Sequence, residues 1–153
     1  MRKLLLARLF PAVLMALVPV VAEADDDSVL IETDSEYEFA VADLEDAIIN
    51  RGLVVNGHSM VADMLKRTAS AVGADKNVYR NAEVFEFCSA VFSRAMMEAD
   101  PANIAFCPQT VFVYQTEAAP DTVIVGYRKL PAGNGRDDIN ALLDEIVREA
   151  AGK

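Results

Sequence analysis

Two segments near the carboxyl end, TVFVYQ at residues 110–115 and TVIVGY at residues 122–127, decide the fold of this 153-residue chain. Both are rich in β-branched and aromatic side chains, which are enriched in strands. The stretch between them is short and polar and contains Pro120 and Asp121. The sequence therefore predicts an antiparallel hairpin with no helix between its two strands.

Upstream of the hairpin, short apolar strands alternate with amphipathic helices. Strands are predicted at residues 29–31, 53–55 and 82–88, and in the third of these Glu83 and Phe87 share one face. Three helices between strands, and one after the hairpin, follow from apolar residues spaced three or four positions apart. These residues are Val41, Leu44, Ala47 and Ile48 in the first helix, Val61, Met64, Leu65, Thr68 and Val72 in the second, Phe92, Ala95, Met96 and Ala99 in the third, and Ile139, Leu142, Leu143, Ile146 and Val147 in the fourth.

The predicted order of elements is β-α-β-α-β-α-β-β-α. Short elements that end in an uninterrupted hairpin favour an α+β two-layer sandwich over a doubly wound parallel sheet. In such a sandwich a mostly antiparallel sheet carries its helices on one face. We expect residues 29–153 to form a single domain with a C-terminal helix at residues 137–151.

The first 24 residues have the pattern of a cleavable secretory signal. Three basic residues precede an uncharged run of 13 residues at 9–21, and the small residues Ala22 and Ala24 occupy the −3 and −1 positions. A membrane-spanning helix needs roughly 20 residues, so this run is too short to remain as an anchor. We expect cleavage after Ala24, a flexible acidic leader at residues 25–28, and a periplasmic or secreted bacterial protein without a stable membrane anchor.

Loss of the signal makes the chain more acidic. It removes three of the 14 basic and one of the 24 acidic side chains, so that the net charge changes from −10 to −12. The remaining basic residues are scattered and form no stripe along the sequence. A negative net charge of this size repels nucleic acid and anionic lipid surfaces, and we expect no nucleic-acid partner.

The first helix, the segment after it and the hairpin resemble the DUF302 domain family. The resemblance rests on Tyr37, Phe39, Leu44, Ile48-Ile49, Gly-Leu-Val-Val at residues 52–55, Phe-Cys-Pro at 106–108 and Val-Gly-Tyr-Arg at 125–128. It covers about residues 29–130, which leaves the terminal helix and the two cysteines as features of a subgroup. It implies a small α+β domain, often exported in bacteria, and it supplies no catalytic residues because the family is one of unknown function.

Cys88 and Cys107 are the two cysteines of the chain. An even number of cysteines in an exported protein predicts a disulfide, here around the third helix. Closing a loop of about 19 residues stabilises a fold by roughly 3 kcal/mol in the chain-entropy model. Three alternatives are a redox-active thiol pair, ligation of haem or copper, and a catalytic cysteine with His58 as its base.

His58 is predicted to lie in a loop between the second strand and the second helix, with Ser59 as the helix N-cap. Such loops often carry function. Together with Met60, Met96 and Cys107, His58 makes up the set of possible ligand-binding residues, since imidazole, thioether and thiolate bind soft metals.

These observations lead to three hypotheses of function. The first is a non-enzymatic periplasmic binding or accessory module that uses a face of the sheet or the edge near the third helix, with no catalytic residue and no cofactor. The second is a haem- or copper-binding redox or electron-transfer protein that uses Cys88, Cys107 or His58. The third is a structural partner subunit, which could form a homodimer through an exposed sheet edge or bind another periplasmic protein.

Overall fold

The computed structural model describes residues 27–153, and this part of the chain contains one five-stranded sheet and four α-helices. The predicted signal at residues 1–24 lies outside the described residues. The order of elements is the predicted one. The elements are β1 (Ser28–Thr33), α1 (Tyr37–Ile49), β2 (Val55–Met60), α2 (Val61–Thr68), β3 (Tyr79–Phe87), α3 (Ala90–Ala99), β4 (Gln109–Thr116), β5 (Val123–Arg128) and α4 (Asp137–Ala150), with short 3-10 helices at Ala69–Val72 and Pro101–Phe106.

The five strands lie in the order β1-β5-β4-β3-β2, and every neighbouring pair is antiparallel. The predicted hairpin is confirmed as the pair β4 and β5, in which Val113 lies opposite Val125. Strands β1 and β2 are the edges of the sheet. The sequence did not predict this order, because β1 pairs with a strand that follows it by about 90 residues.

The core lies between one face of the sheet and the helices α1 and α4. Strand β4 shows how the strands separate the two faces. Its residues at odd positions from Gln109 to Gln115 are buried, whereas those at even positions are half-buried. The largest buried side chains that meet in this core include Leu44, Ile48, Phe85, Phe87, Leu143 and Ile146.

Helix α3 begins and ends where the sequence predicted. The Ser89 hydroxyl accepts a hydrogen bond from the backbone N–H of Phe92 at 3.4 Å and so caps the helix. The helix ends at Ala99, directly before Asp100-Pro101. The predicted disulfide between Cys88 and Cys107 is present, with 6.4 Å between the two Cα atoms, and it encloses this helix.

The prediction for the second strand was wrong in its position. Strand β2 covers Val55–Met60 instead of residues 53–55, and α2 follows it with no loop between them. His58 therefore lies inside a strand opposite Phe85, and the side chain of Ser59 does not cap α2. Pairing with β3 overrides the turn preference of Asn56-Gly57, and a bulge between Val55 and Gly57 absorbs the irregularity.

Candidate functional site

His58 lies on the helix-covered side of the sheet, next to Glu83. Its Nε2 atom is 2.7 Å from Glu83 Oε2, and since a carboxylate only accepts, the ring N–H donates this bond. The imidazole also stacks on Phe85, with 4.2 Å between the ring centroids. Both contacts fix the ring orientation, so the predicted ligand residue is part of an ordered cluster.

Tyr37, the first residue of α1, completes this cluster. Its hydroxyl donates to Glu83 Oε1 at 3.1 Å. Burial raises the pKa of the Tyr37 phenol well above its usual value, and the negative charge of Glu83 raises it further. Both oxygens of Glu83 are thus occupied, and the cluster joins β2 and β3 to the start of α1 as a bracing network.

Of the other predicted ligand residues, Cys107 and Met96 are not brought to His58, whereas Met60 lies near it in the same strand. Cys107 is bonded to Cys88, so neither sulfur is a free thiol. Met96 is completely buried in the core. Met60 lies opposite Glu83 at the end of β2, with its side chain exposed, and is the only member of the set next to His58 in this strand.

Residues 27–153 contain no group of three or more His, Cys, Asp or Glu side chains arranged to hold a metal ion. The haem or copper hypothesis stays a prediction, and with both thiols in the disulfide it depends on His58 and Met60. The homodimer through a sheet edge also stays a prediction, for which β1 and β2 are the available edges.

A larger site lies on the opposite face of the sheet, which we call the open face. A row of paired residues crosses it from β1 to β3: Leu30 lies opposite Gly126, Gly126 opposite Phe112, and Phe112 opposite Val84. A groove of about 460 Å³ lies along this face. Ligand sites have volumes of roughly 300–1,000 Å³, so the groove has the size for a small molecule.

Gly126 lies beneath the ring of Phe112, which lines the groove. A Cβ atom at this position would lie 2.6 Å from Phe112 Cε2 and 2.5 Å from the carbonyl oxygen of Val29. The ring of Phe112 therefore lies across the sheet, in the space above Gly126, instead of standing away from it. This arrangement leaves the groove open between Leu30 on one side and the residues around Val78 on the other.

The lining of the groove is apolar and aromatic, with hydroxyl groups at a few positions. Glu83 is the one charged residue among its lining, and its carboxylate is engaged by Tyr37 and His58. Burial raises the pKa of the Tyr114 phenol, and so does the nearby Tyr79. The lining residues besides Leu30, Val84 and Phe112 are Ser28, Val61, Val78, Tyr79, Ala82, Glu83, Val113, Tyr114 and Thr116.

The groove and the Tyr37–Glu83 contact were not assigned from the sequence, although each left a signal. Gly126 interrupts an otherwise β-branched strand, and a glycine inside a strand often marks a close approach of another group. Glu83 shares a strand face with Phe85 and Phe87, and a carboxylate on a buried face needs a partner. Neither signal identifies the partner, because Phe112 and Tyr37 are far from these residues in sequence.

A solved structure has a fold similar to that of this chain. The chain is similar to an uncharacterized conserved DUF302 protein from Bacillus stearothermophilus, whose crystal structure matches with a TM-score of 0.67 and 17% identity. The match covers 82% of this chain and 98% of that chain. At this identity the likeness shows the fold alone. No curated protein matches the chain.

The sequence profile described as "Domain of unknown function DUF302" matches residues 29–151. The matched region includes α4, so the expectation that the terminal helix lies outside the resemblance was wrong. The reason is structural: α4 packs on α1 and β5 and supplies Ile139, Leu143 and Ile146 to the core, so it is part of the domain. The chain belongs to the DUF302 family.

Proposed function

We propose that the mature chain is an exported, non-enzymatic binding domain that holds a neutral molecule with an apolar body in the groove of the open face. The observation that carries this proposal is the shape of that face. Because Gly126 has no side chain, the ring of Phe112 occupies the space above it. The groove that this ring lines has the volume of a small-molecule site.

The electrostatics of the lining support a neutral ligand. Among the lining residues only Glu83 carries a charge, and its two oxygens already accept hydrogen bonds from the other side of the sheet. A charged ligand would lose its hydration without gaining an ion pair, which is unfavourable. The hydroxyls of Tyr79, Tyr114 and Thr116 offer hydrogen bonds to one polar group of a ligand, which would set its orientation.

The location rests on the secretory pattern at residues 1–24 together with the disulfide, which is compatible with an oxidising compartment. The absence of a catalytic motif from the sequence led us to expect a binding role. The groove offers the sheet face that this hypothesis requires.

A fluorescence titration tests the proposal. Nile red, a neutral apolar dye, is titrated into the mature protein (residues 25–153) and into Leu30→Lys, which places a charge beside the groove at a residue that is 52% exposed. We expect saturable binding by the unchanged protein and at least tenfold weaker binding by the variant, about 1.4 kcal/mol.

Ile104→Lys is the matched control, since Ile104 is an exposed apolar residue (63%) in the 3-10 helix after α3 and does not line the groove. It should bind the dye within twofold of the unchanged protein. Equal affinities for the unchanged protein and Leu30→Lys would overturn the groove as the binding site.

A further inference from the structure

Helix α2 has an apolar stripe that the described residues cover only in part: Val61 and Thr68 are half-buried, whereas Met64 and Leu65 are exposed. The sequence spacing of Val61, Met64, Leu65 and Thr68 predicts one apolar face. Such a face normally packs against a core, yet none of the residues of α2 is buried. The 3-10 helix that follows exposes Val72 to 74%, and the linker to β3 exposes Val78 to 58%. The apolar surface of this segment therefore faces outwards.

Basic side chains flank this apolar surface. Lys66 and Lys76 line a small cleft of about 110 Å³ together with Leu65, Val72 and Val78. Within residues 27–153 neither lysine forms an ion pair. We call this surface, defined by these five residues, the α2 surface.

The charge of the α2 surface is opposite to that of the rest of the protein. Residues 61–80 contain four basic and two acidic side chains, whereas the whole chain has a net charge of −10. Many of the acidic residues lie on α1 and α4 and not on this segment. Since charges are screened over about 8–10 Å in physiological salt, a surface approaching α2 responds mainly to the local charges, which include Asp63 and Asp75 but have a positive sum.

The α2 surface and the groove are continuous. Val78 and Tyr79 line both the cleft of the α2 surface and the groove of the open face. A layer in contact with α2 would thus lie at the entrance of the groove. Exposed apolar residues beside lysines are the combination by which amphipathic segments bind the interface of anionic bilayers.

We propose that the α2 surface docks the exported protein reversibly on an anionic lipid bilayer, and that the groove takes its apolar ligand from that bilayer. The second half of this inference rests on the proposed function, whereas the docking itself does not. No helix of residues 27–153 is long and apolar enough to cross a membrane. Docking by this surface needs only side chains that are already exposed.

Sedimentation with vesicles tests the docking. The mature protein is incubated with vesicles of phosphatidylglycerol and phosphatidylcholine in equal amounts, and with vesicles of phosphatidylcholine alone. We expect binding to the anionic vesicles and little to the neutral ones. In Lys66→Gln/Lys76→Gln the partition coefficient should fall by about 30-fold, since each basic residue near an anionic surface contributes about fivefold.

A control variant matches the loss of charge, and a second pair of variants tests the apolar residues. Arg94→Gln/Lys153→Gln removes the same charge from α3 and the C-terminus, and it should bind the anionic vesicles like the unchanged protein within about threefold. Val72→Ser should weaken binding, whereas Val91→Ser, at an equally exposed position (74%) on α3, should not. Circular dichroism confirms that each variant is folded.

The outcomes separate this inference from the proposed function. The docking is overturned if the unchanged protein and Lys66→Gln/Lys76→Gln sediment equally, or if the unchanged protein does not bind anionic vesicles. If Nile red still binds in that case, the groove stands as a binding site. If the unchanged protein binds vesicles but does not bind Nile red, the proposed function and the uptake of a ligand from the bilayer are overturned. A protein that fails to bind vesicles but captures an acidic protein through Lys66 and Lys76 would contradict the bilayer as the partner.

Discussion

The ring of Phe112 occupies the space directly above Gly126 on the neighbouring strand. The two residues form a pair in the middle of the open face, with Leu30 on one side and Val84 on the other. The ring fills the space that a side chain at position 126 would need, and it lines the groove there. The glycine at position 126 is therefore linked, through its contact with Phe112, to the groove that we propose as the binding site.

Gly126→Ala should destabilise the protein and reduce dye binding. The new methyl group would meet Phe112 Cε2 at 2.6 Å and the Val29 carbonyl oxygen at 2.5 Å, so the ring and the edge strand must move. Overpacking of this kind costs roughly 1–3 kcal/mol, which urea denaturation measures. In the Gly126→Ala background, Phe112→Leu should recover part of the loss, because the smaller side chain leaves room for the methyl group. Unchanged stability of Gly126→Ala would contradict the described contact.

Removal of the disulfide should destabilise the fold without abolishing it. Cys88 and Cys107 are separated by 19 positions, and opening a loop of this size should lower the free energy of unfolding by about 3 kcal/mol. Urea denaturation of Cys88→Ser/Cys107→Ser checks this value, and the unchanged protein in reducing agent is the control, with a similar loss expected. A thiol assay under denaturing, non-reducing conditions should find no free thiol. Two free thiols in protein isolated from the cell would refute the bridge.

The free energy of unfolding should decrease at alkaline pH, in part because of Tyr37. Burial and Glu83 raise the pKa of Tyr37 in the folded state, so above about pH 10 the unfolded chain releases a proton that the folded chain keeps. The stabilisation is complete below the pKa of the unfolded tyrosine and is lost as the pH rises above it. Tyr37→Phe should lower stability by about 0.5–1.5 kcal/mol at neutral pH, through loss of the bond to Glu83.

The measurement to compare is the slope of the free energy of unfolding against pH in the two proteins. Between about pH 9 and 11 the stability of Tyr37→Phe should fall less steeply than that of the unchanged protein, because one tyrosine with a raised pKa is absent. Parallel slopes for the two proteins would argue against a buried, carboxylate-bonded phenol at position 37.

The exported form should begin at Asp25. The small residues Ala22 and Ala24 fit the −3 and −1 positions of a signal cleavage site. Mass spectrometry of the intact protein from a periplasmic fraction measures the mature N-terminus. A chain that retains residues 1–24 would contradict cleavage, and Ala24→Arg, which places a large charged residue at the −1 position, should accumulate uncleaved precursor.

The local patterns of the sequence predicted the elements of this fold well, because most of them express a local preference. The strands of the hairpin are rich in β-branched and aromatic residues, and Ser89 and Pro101 mark the ends of α3. The strand β2 was misplaced since its position depends on pairing with β3, where His58 stacks on Phe85. A pairing partner that is 27 residues away contributes nothing to the local pattern around Asn56-Gly57.

The candidate site depended even more on distant contacts. The groove is formed by residues of β1, β3, β4 and β5 and the segments beside α2, and its shape follows from Phe112 over Gly126. Composition predicts that such side chains are apolar and that they lie in strands. It does not predict which side of the sheet the helices cover, and the uncovered side determines where a ligand can bind.

NMR can locate a bound apolar ligand and so test the open face as the binding site most directly. The mature protein is labelled with ¹⁵N, its backbone amides are assigned, and Nile red is titrated to saturation. We expect the largest chemical-shift changes on open-face residues, among them Leu30, Val84, Phe112 and Tyr114. Core residues of α1 and α4, such as Leu44 and Ile146, should change little. Shifts confined to the helical layer, or no saturable shift, would contradict the claim that the open face is the binding site.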